Sequence, residues 1–233
     1  MIKCIFLCGI IGYIGEENAA PILLNGLKRM EYRGYDSAGM ATLTDVGIIL
    51  LKDEGKISEI DKKMNFLDME GTIGIAHTRW ATHGGVSREN AHPHVSCGFE
   101  VAVNHNGIIE NHHQLREKLK GEGHEFNSDT DSEIIAHLLE KYYNESGKVK
   151  KALLNAVQDL KGTFSFQAIF KSEPNVLIGA RKDAPLVIGI GKNGNYLASD
   201  ILSFIDHTDK VKFLDNQEIV IMRGRRMNIY TFN

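Results

Sequence analysis

Four short constellations hold the residue types from which an amide-cleaving site can be assembled. Cys8 stands directly before Gly9 in an Ile-rich stretch, and Arg79 sits inside the run His77-Thr78-Arg79-Trp80-Ala81-Thr82-His83-Gly84. His105-Asn106-Gly107 sets a side-chain amide beside a glycine, and Asp129-Thr130-Asp131-Ser132 sets carboxylates before an apolar-periodic segment. Each has an ordinary reading of its own. A cysteine in an apolar strand is usually inert core, Asn-Gly makes a tight turn, and acidic residues favour a helix N-terminus. Together they supply a thiol nucleophile and two oxyanion donors, the Asn106 amide and the Gly107 backbone N–H. They also supply a pair of opposite charges. Glutamine offers an α-carboxylate, which suits the bidentate fork of Arg79, and an α-ammonium, which suits Asp131.

The elements that must carry these residues follow from hydrophobic periodicity. A buried strand is expected over residues 8–14, then a helix over 19–31 capped by Glu16-Glu17-Asn18, with Ile22, Leu23, Leu27 and Met30 on one face. Strands follow over 38–43 and 46–51, a helix over 57–67 and a strand over 72–77. Residues 80–97, with Gly84-Gly85 and His92-Pro93-His94, show little periodicity and form a long loop of the kind that is usually functional. A strand over 99–104 delivers the chain to His105-Asn106-Gly107 at its end, and Asn111 caps a helix through residue 120. Helices over 131–143 and 151–160 precede strands over 164–170, 176–180, 186–190, 211–214 and 219–222. Strands on both sides of a helical block predict an α+β arrangement of layered sheets with helices packed on them.

Composition bounds the rest. The chain has 233 residues, 42% apolar and 24% charged, with only 4 Pro, which excludes disorder, collagen and coiled coil. The net charge of −3 leaves no electrostatic footprint for nucleic acid, and Arg223, Arg225 and Arg226 are expected at a solvated strand end. Cys4, Cys8 and Cys97 are an odd set without metal-ligand spacing, which argues for a reducing compartment and a cytoplasmic protein. The apolar run near the N-terminus is too short to span a bilayer, so no membrane association is expected. His112 and His113 likewise lack metal partners at useful spacing, so neither metal nor cofactor is expected.

Cys8-Gly9-Ile10-Ile11-Gly12-Tyr13-Ile14-Gly15 resembles the nucleophile strand of the class II glutamine amidotransferases, whose catalytic cysteine is the first residue of the mature chain. Glu31-Tyr32-Arg33-Gly34-Tyr35-Asp36-Ser37-Ala38-Gly39 and the run from His77 to Gly84 resemble the branch that makes glucosamine 6-phosphate. So do Asn90-Ala91-His92-Pro93-His94, His105-Asn106-Gly107-Ile108-Ile109-Glu110-Asn111 and Leu197-Ala198-Ser199-Asp200. The resemblance implies a four-layer αββα sandwich of the N-terminal-nucleophile hydrolase type. It implies Cys8 as nucleophile with its own α-amine as general base, Asn106 and Gly107 as oxyanion hole, and Arg79 and Asp131 as the glutamine clamp. Thr82, His83 and His92 would line the site, and Trp80 would gate the passage of ammonia.

Two departures from the family pattern stand out. Residues 1–7 precede Cys8 and would tie up its amine, so they are expected either to be removed or to reflect a start at the Leu7 codon. The amidotransferase domain then runs over 8–233 without the paired sugar-isomerase domains that bind fructose 6-phosphate in that branch, so the chain is expected to be either a piece of a longer enzyme or a stand-alone glutaminase domain. Those missing domains are also where dimerisation is expected. Smaller departures are Asn104 in place of an aliphatic residue and Ser132 in place of Thr. The leading expectation is hydrolysis of L-glutamine, with the ammonia passing to fructose 6-phosphate. The alternatives are an amidophosphoribosyltransferase-type glutaminase and a glutamine-binding regulatory module with a blocked nucleophile.

Overall fold

The computed structural model describes residues 8–81 and 84–233. In chain order the strands are β1 (Gly9–Gly15), β2 (Ser37–Thr44), β3 (Gly47–Glu54), β4 (Ile73–Arg79), β5 (His94–Val95), β6 (Val101–Ile109), β7 (Gly162–Phe170), β8 (Val176–Lys182), β9 (Val187–Ile190), β10 (Gly194–Ala198), β11 (Val211–Phe213), β12 (Glu218–Arg223) and β13 (Arg226–Thr231). The helices are α1 (Ala19–Met30), α2 (Ile57–Met64), α3 (His112–Gly121), α4 (Glu133–Ser146) and α5 (Val149–Asp159). The strands form a seven-stranded sheet, β11-β9-β10-β1-β4-β2-β3, and a six-stranded sheet, β13-β12-β8-β7-β6-β5. Paired neighbours run antiparallel throughout both.

Three apolar cores separate four layers. Leu23, Leu27 and Met30 of α1 and Ile57 and Ile60 of α2 cover Ile11 and Tyr13 of the first sheet. Ile134, Ile135, Leu138 and Leu139 of α4, with Leu153 of α5, cover Val101, Val103, Phe164 and Phe166 of the second. Between the sheets lie Ile14, Ile73, Ile75, Ala102, Ile169 and Leu177. The result is the expected αββα sandwich. The period-2 alternation of strands produces it directly, since odd residues of β1 face helix and even ones face the opposing sheet. The same alternation brings His77 of β4 and Asn106 of β6 together across the inter-sheet gap at 3.1 Å. Among the described residues no helix is long and apolar enough to cross a membrane.

Several expected elements differ. The strand expected to end at residue 104 continues to Ile109, so His105-Asn106-Gly107 lies within β6 rather than in a turn. Pairing with β7 carries it through, and Gly107 accommodates the kink with φ +127°. Asn111 does not cap α3: its amide donates to the Asp159 carbonyl and its oxygen accepts from Lys161 N–H. The helix expected over 57–67 ends at Met64, where Asn65 turns left-handed. α4 begins at Glu133, leaving Asp131 just ahead of it, and the loop over 80–97 contains the two-residue β5. β10 and β13 were not expected, because Gly194 and Asn195 weaken the first and polar residues at Arg226, Asn228 and Thr231 mask the second. Asn18 does cap α1, accepting from Ala20 N–H at 3.2 Å.

Candidate active site

The thiol of Cys8 lies at the head of β1, and its sulfur accepts a hydrogen bond from the Trp80 backbone N–H at 3.2 Å. Burial pushes the Cys8 thiol up, against the pull of the Trp80 N–H, Arg79 and Arg33 toward the thiolate. A protonated thiol therefore rests here, and attack on a carbonyl needs a base to take its proton. The Asn106 amide nitrogen donates to the Cys8 carbonyl at 3.0 Å, while its oxygen faces His77 Nε2. Burial drives the pKa of His77 down to about 3, so its ring is neutral and Nε2 is the protonated nitrogen that donates to Asn106. That bond fixes which way the amide points. One of its two N–H groups holds Cys8, which places the amide nitrogen beside the nucleophilic residue. Gly107 follows at φ +127°, and a Cβ there would lie 2.0 Å from the Thr163 carbonyl oxygen, so only glycine fits.

Behind Asn106 lies a buried layer of imidazoles. His92 stacks on His77 with ring centroids 4.1 Å apart and meets His94 edge-on at 4.5 Å. His92 Nδ1 accepts the His105 backbone N–H at 3.2 Å. His94 Nε2 meets Thr130 Oγ1 at 3.0 Å, and His105 Nδ1 meets Ser132 Oγ at 2.8 Å. Burial holds all four rings below the usual histidine range, with Arg79 adding to the effect at His77, His92 and His94, and Lys52 at His94. His92 thus supports the site from behind, through the His77 ring and the His105 backbone. His77, His94 and His105 were not among the expected site residues. All three lie in the motifs that carry the family resemblance, but a lone histidine in an apolar strand does not announce a neutral layer.

The charged pair is set by loops that the sheets anchor. Arg79 ends β4, buried, and its guanidinium donates to the carbonyls of Gly85 at 3.2 Å and Gly84 at 3.5 Å. Asp131 accepts the Ile109 backbone N–H at 2.7 Å, and its second oxygen is 3.4 Å from Ser132 Oγ. Asn90 joins the two: its amide donates to Gly85 O at 3.0 Å and its oxygen accepts Asp129 N–H at 2.9 Å. Arg116 fixes the same loop through the carbonyls of Ser128 and Thr130, at 2.8 and 2.6 Å.

The segment from Glu31 to Gly39 acts as a bracket. Asp36 accepts Ala81 N–H at 2.8 Å, and Gly34 lies so close to Arg79 and Trp80 that a Cβ would meet their backbone at 2.7–2.8 Å. Asp200 locks the bracket by accepting from Arg33 at 2.6 Å and Tyr32 at 2.8 Å. The exposed Trp80 ring packs edge-on against Tyr35, centroids 5.4 Å apart. Thr82 and His83, expected to line the site, lie outside the described residues, as do residues 1–7. Cys8, Trp80, Asn106, Gly107 and the Arg79–Asp131 pair therefore converge at one end of the sandwich. Asn90, Asp36 and His77 are positioning residues that spacing alone did not identify.

The sequence model of the glutamine amidotransferase domain matches residues 77–206. The chain is 49% identical over 226 residues to the glutamine–fructose-6-phosphate aminotransferase (isomerizing) of Aquifex aeolicus, covering 97% of this chain and 38% of that protein. It is 48% identical over 219 residues to the protein of that name from Methanothermobacter thermautotrophicus, covering 94% and 37%. The chain thus spans under two fifths of the length of these relatives. Among solved structures it resembles the glutamine phosphoribosylpyrophosphate amidotransferase of B. subtilis, with TM-score 0.84 and 27% identity over 97% of this chain and 49% of that one. A regulatory enzyme of purine biosynthesis superposes equally well, at 28% identity, TM-score 0.84 and coverage of 97% and 49%.

Proposed function

This chain belongs to the glutamine amidotransferase domain family, and on that premise we propose that it hydrolyses L-glutamine to L-glutamate and ammonia through a thioester on Cys8. The observation that carries this reading is the Asn106 amide, aimed by neutral His77 and placed against the nucleophilic residue. The α-amine of Cys8, freed once residues 1–7 are absent, is the general base. Its ordinary pKa of about 7.7–8.0 lies near neutrality, whereas burial raises that of the thiol.

In the first half-reaction the amine takes the thiol proton as sulfur attacks the side-chain carbonyl of glutamine. The Asn106 amide and Gly107 N–H receive the oxyanion, and the amine then passes the proton to the departing nitrogen as the C–N bond breaks. Water, deprotonated by the same amine, cleaves the thioester to glutamate and restores the thiol. Arg79 holds the α-carboxylate and Asp131 the α-ammonium, with Trp80 as gate for ammonia, and His92 supports the site from behind His77.

Fructose 6-phosphate is the proposed acceptor. Relatives named for that substrate are 48–49% identical to this chain, against 27% for the phosphoribosylpyrophosphate amidotransferase and 28% for the regulatory enzyme of purine biosynthesis. The acceptor sugar would be held by further domains, which occupy the remainder of the longer relatives in this reading. The test pairs intact-mass spectrometry with a glutamate-release assay on chain beginning at Cys8. Turnover that is lost in Cys8→Ala and absent while residues 1–7 remain attached is the expected result. Normal turnover in Cys8→Ala would sink the assignment, and binding of glutamine without hydrolysis from a free Cys8 would favour the regulatory module.

A further inference from the structure

On the far side of the second sheet, away from Cys8, four donor atoms of metal-binding type converge that the glutaminase chemistry does not use. Cys97 Sγ lies 3.8 Å from His137 Nδ1 and 3.9 Å from His124 Nδ1. The two Nδ1 atoms are 3.2 Å apart, and Glu140 Oε2 is 3.3 Å from His124 Nδ1. All four ligand atoms fall within 4.8 Å of one another, His137 and Glu140 being buried and Cys97 and His124 half-buried.

A tetrahedral zinc with Zn–S of about 2.3 Å and Zn–N of about 2.0–2.1 Å sets its ligands about 3.3 Å (N to N) and about 3.6 Å (S to N) apart. The observed separations lie within a few tenths of an ångström of those edges. The surroundings fit as well. His137 Nε2, the ring nitrogen facing away from the cluster, is buried without a hydrogen-bond partner among the described residues, and the Glu133 carboxylate stands 3.8 Å away, in line to take its proton after a small shift. Glu140 accepts Ser96 Oγ on its other oxygen at 2.9 Å. A metal-bound imidazole ordinarily gives its second N–H to a carboxylate, which orients the ring. A thiolate and two imidazoles select a zinc-type ion over magnesium or calcium, which prefer oxygen.

We propose that Cys97, His124, His137 and Glu140 bind one zinc-type divalent cation in a closed, structural site. It fastens three parts of the chain: the turn between β5 and β6, the loop between α3 and α4, and α4 itself. The Glu133 beside His137 also accepts Asn127 N–H and Ser128 N–H, each at 2.8 Å, so the site adjoins the loop that ends at Asp131. No short-range motif betrays it, because the ligands are spread from residue 97 to residue 140 and meet only through β6, α3 and α4.

The test uses the chain stripped with chelator and titrated with Co²⁺, then with Zn²⁺. One equivalent of Co²⁺ is expected to give the intense visible bands of tetrahedral cobalt and a thiolate-to-cobalt charge-transfer band, both abolished by one equivalent of Zn²⁺. Cys97→Ser should lose the charge-transfer band and His124→Gln should weaken uptake at least tenfold. Both residues are half-buried, and circular dichroism checks that the variants fold. Zn²⁺ should raise the Tm of the parent chain and not that of Cys97→Ser. Cys8→Ala should bind as the parent does, which separates this site from the nucleophile. No uptake at micromolar Co²⁺ or Zn²⁺, or uptake that survives Cys97→Ser and vanishes in Cys8→Ala, would overturn the proposal.

Discussion

Acid should unfold this protein at a pH where most carboxylates are still ionised. His77, His92 and His94 are buried and neutral, their pKa values pushed down by desolvation, that of His77 to about 3. Their charged neighbours, Arg79 and Lys52, oppose protonation further, and Asp131 favours it only at His105. In the unfolded chain each ring titrates near about 6.5. Below that value the unfolded state binds more protons, so stability is complete above it and is lost as pH falls toward the folded-state values. At about pH 5 the loss from His77 alone is about 2 kcal/mol, and His92 and His94 add to it in the same direction, against a typical domain stability of about 5–15 kcal/mol. The limiting slope is about 4 kcal/mol per pH unit. Urea midpoints taken between about pH 7.5 and 5, with chelator present and ionic strength fixed, measure it. His94→Gln, which leaves Thr130 Oγ1 a partner, should remove about a third of the slope. A slope in the wild-type protein below that of one proton, about 1.4 kcal/mol per pH unit, would refute the neutral layer.

Three further outcomes follow from the site. Asn106→Ala should lower kcat for glutamine hydrolysis by about 10²–10³ while leaving KM within a few-fold, since the lost donor serves the oxyanion; an unchanged kcat would remove Asn106 from the mechanism. Arg79→Lys should raise KM at least about tenfold, because lysine lacks the fork, and Asn90→Ala should raise it less, by loosening Gly85 against Asp129; steady-state kinetics with kcat and KM separated checks both. Gly107→Ala should destabilise the fold by about 3 kcal/mol or more, from the positive φ and the collision with Thr163; a denaturation midpoint like that of the parent would contradict the observed backbone.

Much of this molecule was legible in one dimension. Alternation and 3.6-residue periodicity are local properties, so the helical face of Leu23, Leu27 and Met30 and the strands around Ile75 and Phe166 could be assigned without coordinates. The chemical types of Cys8, Arg79, Asn106 and Asp131 likewise suggested an amide-cleaving site before any geometry. Tertiary structure decided the rest. Asn-Gly reads locally as a turn, yet pairing of β6 with β7 outweighs that preference and keeps Asn106 on the inter-sheet face opposite His77. Asn111 has the composition of a helix cap, but a partner across the fold at Asp159 claims its side chain. Whether a histidine is a surface residue or a neutral buried ring depends on desolvation, which no spacing encodes. The same holds for Cys97, His124, His137 and Glu140: their types are visible in the sequence, and only the packing of α3 and α4 against β6 brings their donor atoms to one point.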